Sequence, residues 1–153
     1  LTRLRQNVAR LGSLAAGIAP VVADGRAPPF RPAGLVLIDA PCTGTGTFRR
    51  HPDGRWRVQP GHITALAELQ VELLDAAAQI VEPGGLLVYA TCSLEREENE
   101  AQVEAFLERN SVFGIERGSA VDAPVIDERG MLRVLPHEHG VDGAFAARLR
   151  RRS

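Results

Sequence analysis

The chain opens with Leu1, Leu4, Val8 and Leu11, spaced three and four apart as on one face of a helix. Gly12 stands where such a helix would stop. Pro20 to Ala23 reads as a short strand ending at Asp24-Gly25, and a loop rich in Pro and Arg runs on to Pro32. Gly34-Leu-Val-Leu-Ile38 is a continuous apolar run, the pattern of a strand buried on both faces. From about His62 to Val81 helical spacing returns, through Ile63, Leu66, Leu69, Leu73, Leu74, Ala77 and Ile80. Glu82-Pro-Gly-Gly85 stops that helix, and Leu86 to Ala90 is a second buried strand. Ser93 can cap a third helix, with Glu95, Glu97, Glu98 and Glu100 at the positive end of its dipole. Val103, Phe106 and Leu107 form its inner face, up to about Arg109. Weaker strand patterns lie near Gly114–Glu116, Leu132–Leu135 and Gly143–Leu149.

Helix and strand in alternation predict an α/β fold with a parallel central sheet. In such sheets ligands bind at the carboxyl ends of the strands. Asp24, Asp39, Cys42 and Cys92 all follow expected strands, so all four should project toward one edge.

At 153 residues the chain suits one domain, by a prior of roughly 100–200 residues per domain. The net charge of -1 does not announce a nucleic-acid partner. Every cation is an arginine, which suits phosphate contacts and equally reflects genome composition. Two cysteines are too few for a disulfide framework or a cysteine metal cluster, so a reduced, cytoplasmic setting is expected. There is no signal-peptide pattern and no apolar run near the ~20 residues of a membrane span. His137-Glu-His139 is too sparse for a metal site, and no metal is expected.

The chemistry concentrates in two short strings. Asp39-Ala-Pro-Cys42 sets a carboxylate and a thiol at a strand end, before glycines at 44 and 46 that allow close backbone approach. Thr91-Cys92-Ser93 sets a second thiol at a strand end and helix start, where backbone N–H groups favour a thiolate. A nucleophile needs that thiolate. Buried structural cysteines remain the alternative for both. Arg49, Arg50, Arg55 and Arg57 form a basic loop beside Cys42, either a phosphate-binding surface or a solvated loop. Trp56 could stack on a base, but is more simply a packing residue beneath that loop.

The string Leu-Ile-Asp39-Ala-Pro-Cys-Thr-Gly-Thr-Gly46 resembles the fourth motif of the Nop/Sun family of RNA cytosine-5 methyltransferases. Tyr89-Ala-Thr-Cys92-Ser93 with Glu98-Asn-Glu100 resembles its sixth. Pro83-Gly-Gly85, Arg49-Arg-His-Pro-Asp53 and His139-Gly-Val-Asp-Gly143 fit as well, and the likeness is greatest to bacterial members that act on ribosomal RNA. The resemblance implies a Rossmann-like class I fold that uses S-adenosyl-L-methionine (SAM). It implies that Cys92 attacks C6 of cytosine, which makes C5 nucleophilic toward the SAM methyl, and that Cys42 assists product release. Asp39 would hydrogen-bond the base near N3 and lie close to SAM, and Asp24 would meet the adenine of SAM. Arg49, Arg50, Arg55 and Arg57 would face RNA. Swapped cysteine roles are the mechanistic alternative.

The family's first motif, a glycine-rich loop after the first strand, is absent from residues 1–153. The chain therefore reads as part of a catalytic domain, without the first two strands, and binds SAM weakly or not at all by itself. The expected strand before Asp24 would then be separated from the rest of the sheet. A catalytically inactive RNA-binding or assembly remnant of the same fold is the competing reading.

Overall fold

The computed structural model describes residues 2–12, 17–118 and 125–153; Leu1, counted in the first helical stripe, lies outside them. The helices are α1 (Thr2–Leu11), α2 (Pro60–Gln79), α3 (Glu100–Arg109) and the single turn α4 (Pro136–His139). The strands are β1 (Ala33–Asp39), β2 (Val81–Thr91), β3 (Phe113–Ile115), β4 (Leu132–Val134) and β5 (Ala144–Arg151). The sheet order is β1-β2-β5-β3, with β4 also paired to β5.

The sheet contains the expected parallel pair and is mixed beyond it. β1 and β2 are parallel, whereas β5 runs antiparallel to β2, β3 and β4. The turn before β5 delivers the chain at the carboxyl end of β2, where Thr91 pairs with Phe145. From that end the strand can only run back alongside β2, with no crossover helix needed.

The sheet is covered on one face. Leu74, Leu87, Tyr89, Val103, Phe106 and Leu149 are fully buried where α2 and α3 pack on it. Each such side chain contributes about 1.5–3 kcal/mol on burial. Two edge-to-face ring pairs, Tyr89 with Phe145 and Phe106 with Phe113, lock the same layer. Burial on both faces, expected for Gly34–Ile38, is not what is found. Val36 and Ile38 face the core, while Leu35 and Leu37 alternate onto the other face and stay 61% and 65% exposed.

Several elements differ from those expected of the sequence. α2 ends at Gln79, where the Ile80 N–H bonds to the Ala77 carbonyl, and Val81 is the first residue of β2 rather than the last of a helix. Glu82-Pro-Gly-Gly85 lies within β2 as an irregularity, since Ala33 pairs with Val81 but Leu35 already pairs with Leu86. Gly84 sits there at φ 75°, a conformation glycine takes without strain. Pro20 to Ala23 is irregular coil, not a strand. Val21 and Val22 are exposed and pair with no strand of the sheet, so nothing outweighs the cost of ordering them.

Candidate functional site

Two loops leave the carboxyl ends of β1 and β2 side by side. The Ala40 N–H bonds the Ala90 carbonyl at 2.9 Å, which keeps the chains in register one residue past the end of β1. Pro41-Cys42-Thr43 then turns above Thr91-Cys92-Ser93. The Cys42 and Cys92 sulfurs lie 3.4 Å apart, both as free, half-buried thiols. Gly44, at φ 68°, reverses the first loop. The Gly46 N–H then bonds the Cys92 carbonyl at 3.0 Å.

Burial, and then the neighbouring Cys92 thiol, push the Cys42 thiol up to about 11. Near neutral pH Cys42 therefore keeps its proton, and the two thiols share one sulfur–sulfur contact in which either can donate. The helix start expected at Cys92 is absent. A short turn spans Arg96–Glu98 and α3 begins only at Glu100. Ser93 is accordingly not a helix cap; its hydroxyl accepts the Glu95 N–H at 3.1 Å within the loop.

A buried polar layer supports both loops. Asn99 donates to the Ser93 carbonyl at 2.9 Å and accepts from the Thr91 hydroxyl at 2.5 Å, so it orients the second cysteine loop. Glu98, read as one of several helix-dipole carboxylates, is fully buried. It accepts from the Thr43 N–H at 2.9 Å, the Thr43 hydroxyl, the Ser93 hydroxyl at 2.6 Å and the Gln70 amide at 3.2 Å. Gln70 also donates to the Pro41 carbonyl at 2.9 Å. Sequence reasoning missed Gln70, yet a signal existed: it is a polar residue on the apolar face formed by Leu66, Leu69, Leu73 and Leu74. Glu98 had no comparable signal outside the motif, because an acidic run reads as solvated.

Beside the loops, between β1, α2 and the coil at residues 23–30, lies a cleft of about 770 Å³. Asp24 and Asp39 line it, and Phe30, Ile38, Pro41 and Leu73 supply apolar wall. Apolar walls with two carboxylates beside them suit a small ligand that carries hydrogen-bond donors. Asp24 is engaged by Arg26, which donates its backbone N–H at 2.9 Å and its guanidinium at 2.8 Å. Hydrogen bonds from the guanidinium and then the amide hold Asp24 down to about 2, so it is anionic at neutral pH. The four residues expected at one edge thus fall into two adjacent groups, the thiols above and the carboxylates in the cleft, with Pro41 between them.

The basic loop folds into two short turns, Thr45–Thr47 and Pro52–Trp56. Arg50 pairs with Asp142 at 2.9 Å, with Arg49 farther off at 3.8 Å. Arg57 pairs with Asp53 at 3.0 Å. Arg55 lies 5.6 Å from the centre of the Trp56 ring. Trp56 is 81% exposed and does not pack beneath the loop; the Arg55 guanidinium lies over its ring. His139 accepts the Leu135 N–H at 3.1 Å, and among the described residues no group of three His, Cys, Asp or Glu could hold a metal. No described helix is long and apolar enough to cross a membrane.

The family model described as 16S rRNA methyltransferase RsmB/F matches residues 1–150. Ribosomal RNA small subunit methyltransferase B of Thermus thermophilus is 47% identical over 117 residues, covering 76% of this chain and 29% of that protein. The Vibrio cholerae protein of the same name is 42% identical over 154 residues, covering 96% and 32%. The crystal structure of NSun6 from Pyrococcus horikoshii with SFG superposes at a TM-score of 0.85 with 32% identity, covering 99% of this chain and 38% of that one. The chain spans about a third of the length of the curated relatives it matches.

Proposed function

The chain belongs to the 16S rRNA methyltransferase RsmB/F family, and from that membership we propose that, as part of a longer enzyme, it methylates C5 of cytosine in RNA, ribosomal RNA in particular, with SAM as methyl donor. The observation that carries this reading is the 3.4 Å approach of two free thiols at neighbouring strand ends, beside a cleft with two carboxylates. Methylation at nitrogen or oxygen needs no covalent enzyme–base bond and gives no reason for paired thiols.

Asp24, Phe30, Ile38 and Asp39 line one cleft; in this reading Asp24 and the apolar wall would hold the adenine of SAM, and Asp39 would face both cofactor and base. Bound SAM supplies an electrophilic methyl group. The Cys92 sulfur adds to C6 of cytosine, and the C5=C6 electron pair becomes available at C5. Asp39 hydrogen-bonds the base near N3 and stabilises the charge that develops. Release requires transfer of the C5 proton to water acting as base; the C5–H electron pair re-forms C5=C6, and the sulfur–C6 pair returns to Cys92 as a thiolate that the Cys42 thiol can protonate. Cys42, one thiol away, assists this elimination. The raised ionisation of Cys42 supports Cys92 as the attacking group, because a thiol held in its protonated form is the poorer nucleophile. The exposed arginines Arg49, Arg50, Arg55 and Arg57 meet RNA phosphates.

The test is methyl transfer from labelled SAM to a 16S ribosomal RNA transcript by the full-length protein, followed by nucleoside analysis. Label in 5-methylcytidine is expected. Label in another nucleoside, or none in RNA, overturns the reading.

A further inference from the structure

Glu98 is a carboxylate with no exposed surface, in a position where nothing in the reaction above uses it. Buried carboxylates are expensive unless their acceptor sites are filled. Those of Glu98 are filled by donors from three separate segments: Thr43 in the loop of Cys42, Ser93 in the loop of Cys92, and Gln70 on α2. Thr43 and Ser93 each directly follow one of the cysteines. Gln70 closes the arrangement by holding the Pro41 carbonyl, on the other side of Cys42. The Tyr89 hydroxyl donates to the Glu98 backbone carbonyl at 2.7 Å, which anchors Glu98 to the buried face of β2.

We propose that Glu98 is a positioning residue that fixes the spacing of Cys42 and Cys92 by tying together the residues that follow them. The proposal rests on the methyltransferase reading for its consequence in catalysis, but its geometry can be read without activity. Two loops joined by one acceptor move as a unit. Without it, the residues directly after the cysteines keep only a weak mutual contact at 3.3 Å between hydroxyls, and the loops stay joined farther along, by the Gly46 N–H on the Cys92 carbonyl and the Leu94 N–H on the Thr45 hydroxyl. Glutamine at this position retains the brace in large part. Its carbonyl can accept from the Thr43 N–H and Gln70, and its amide can donate to the two hydroxyls, which serve equally as acceptors.

The experiment compares wild type, Glu98→Ala and Glu98→Gln in the full-length protein, with two readouts. The first is the rate at which diamide, an azodicarboxamide oxidant that takes up two electrons and two protons, joins Cys42 and Cys92 in a disulfide. That bond forms only over a narrow range of Cβ separations, so Glu98→Ala should slow it about tenfold. The second is methyl transfer, where a displacement of the thiols should lower kcat about a hundredfold and leave KM for SAM within about threefold. Glu98→Gln should recover most of both losses. Should Glu98→Ala fail to fold, the double variant Thr43→Val/Ser93→Ala cuts two of the ties and should slow disulfide formation similarly. A wild-type disulfide rate in folded Glu98→Ala, or in that double variant, overturns the proposal, as does equal damage from alanine and glutamine. If the wild-type protein forms the disulfide rapidly but methylates no RNA, the functional reading falls and the brace stands on its own.

Discussion

Gly46 and Gly143 meet backbone to backbone beside Cys92. The Gly143 N–H bonds the Gly46 carbonyl at 2.8 Å while the Gly46 N–H reaches the Cys92 carbonyl at 3.0 Å, so three distant segments are joined at one point. A Cβ on Gly46 would lie 2.7 Å from the Cys92 carbonyl oxygen and 2.9 Å from the Gly143 Cα, all of it backbone that cannot swing away. Gly46→Ala should therefore destabilise the fold by about 1–3 kcal/mol through overpacking. Denaturant unfolding measures it. Unchanged stability would mean that the loop tolerates a side chain there.

The raised ionisation of Cys42 has a direct chemical readout. An ordinary cysteine ionises near 9.0, whereas burial and the adjacent Cys92 move Cys42 to about 11. Between those values the ordinary thiol is anionic and Cys42 is not, and only the thiolate is alkylated. Site-resolved iodoacetamide labelling across pH should give half-maximal reactivity of Cys42 near pH 11. Half-maximal labelling at or below the ordinary value of 9.0 would contradict the raised ionisation of this thiol.

Much of this site was legible in the sequence because both cysteines sit within short motifs at the ends of apolar runs, Gly34–Ile38 and Leu86–Ala90. Strand ends in parallel pairs converge, so Cys42 and Cys92 had to meet if the runs were neighbouring strands. The antiparallel direction of β5 was not legible, since Ala144–Arg151 carries the same alternation whichever way it runs. The absence of a strand at Pro20–Ala23 depends on its pairing partners rather than its own residues. Glu98 was hidden because one carboxylate in a run of four was buried, and only the tertiary fold selects which.

The exposed arginines of the basic loop should contribute to RNA binding through phosphates. Arg55 and Arg57 bond only locally, to the Pro52 carbonyl and Asp53, and can turn outward to reach a phosphate. Replacing both with glutamine should weaken binding and flatten the dependence of log affinity on log salt by about 0.7 for each phosphate no longer neutralised. An unchanged slope, measured with a 16S ribosomal RNA transcript, would remove the loop from the interface.

Asp24 should carry part of the SAM affinity of the full-length protein. A charge-assisted hydrogen bond is stronger than a neutral one, so Asp24→Asn should weaken binding several-fold. Calorimetric titration with SAM measures this. Wild-type affinity in the variant would assign Asp24 to Arg26 alone, as a partner that shapes the 23–30 coil.

The proposed mechanism gives Cys92 the attack on the base and Cys42 its release. It is tested most directly by incubating the full-length protein with SAM and a 16S ribosomal RNA transcript as Cys42→Ala, Cys92→Ala and the double variant, and resolving the products on denaturing gels. The account predicts an RNA-linked protein band in Cys42→Ala that is absent from the other two. A band that forms only in Cys92→Ala would contradict it and reverse the two roles.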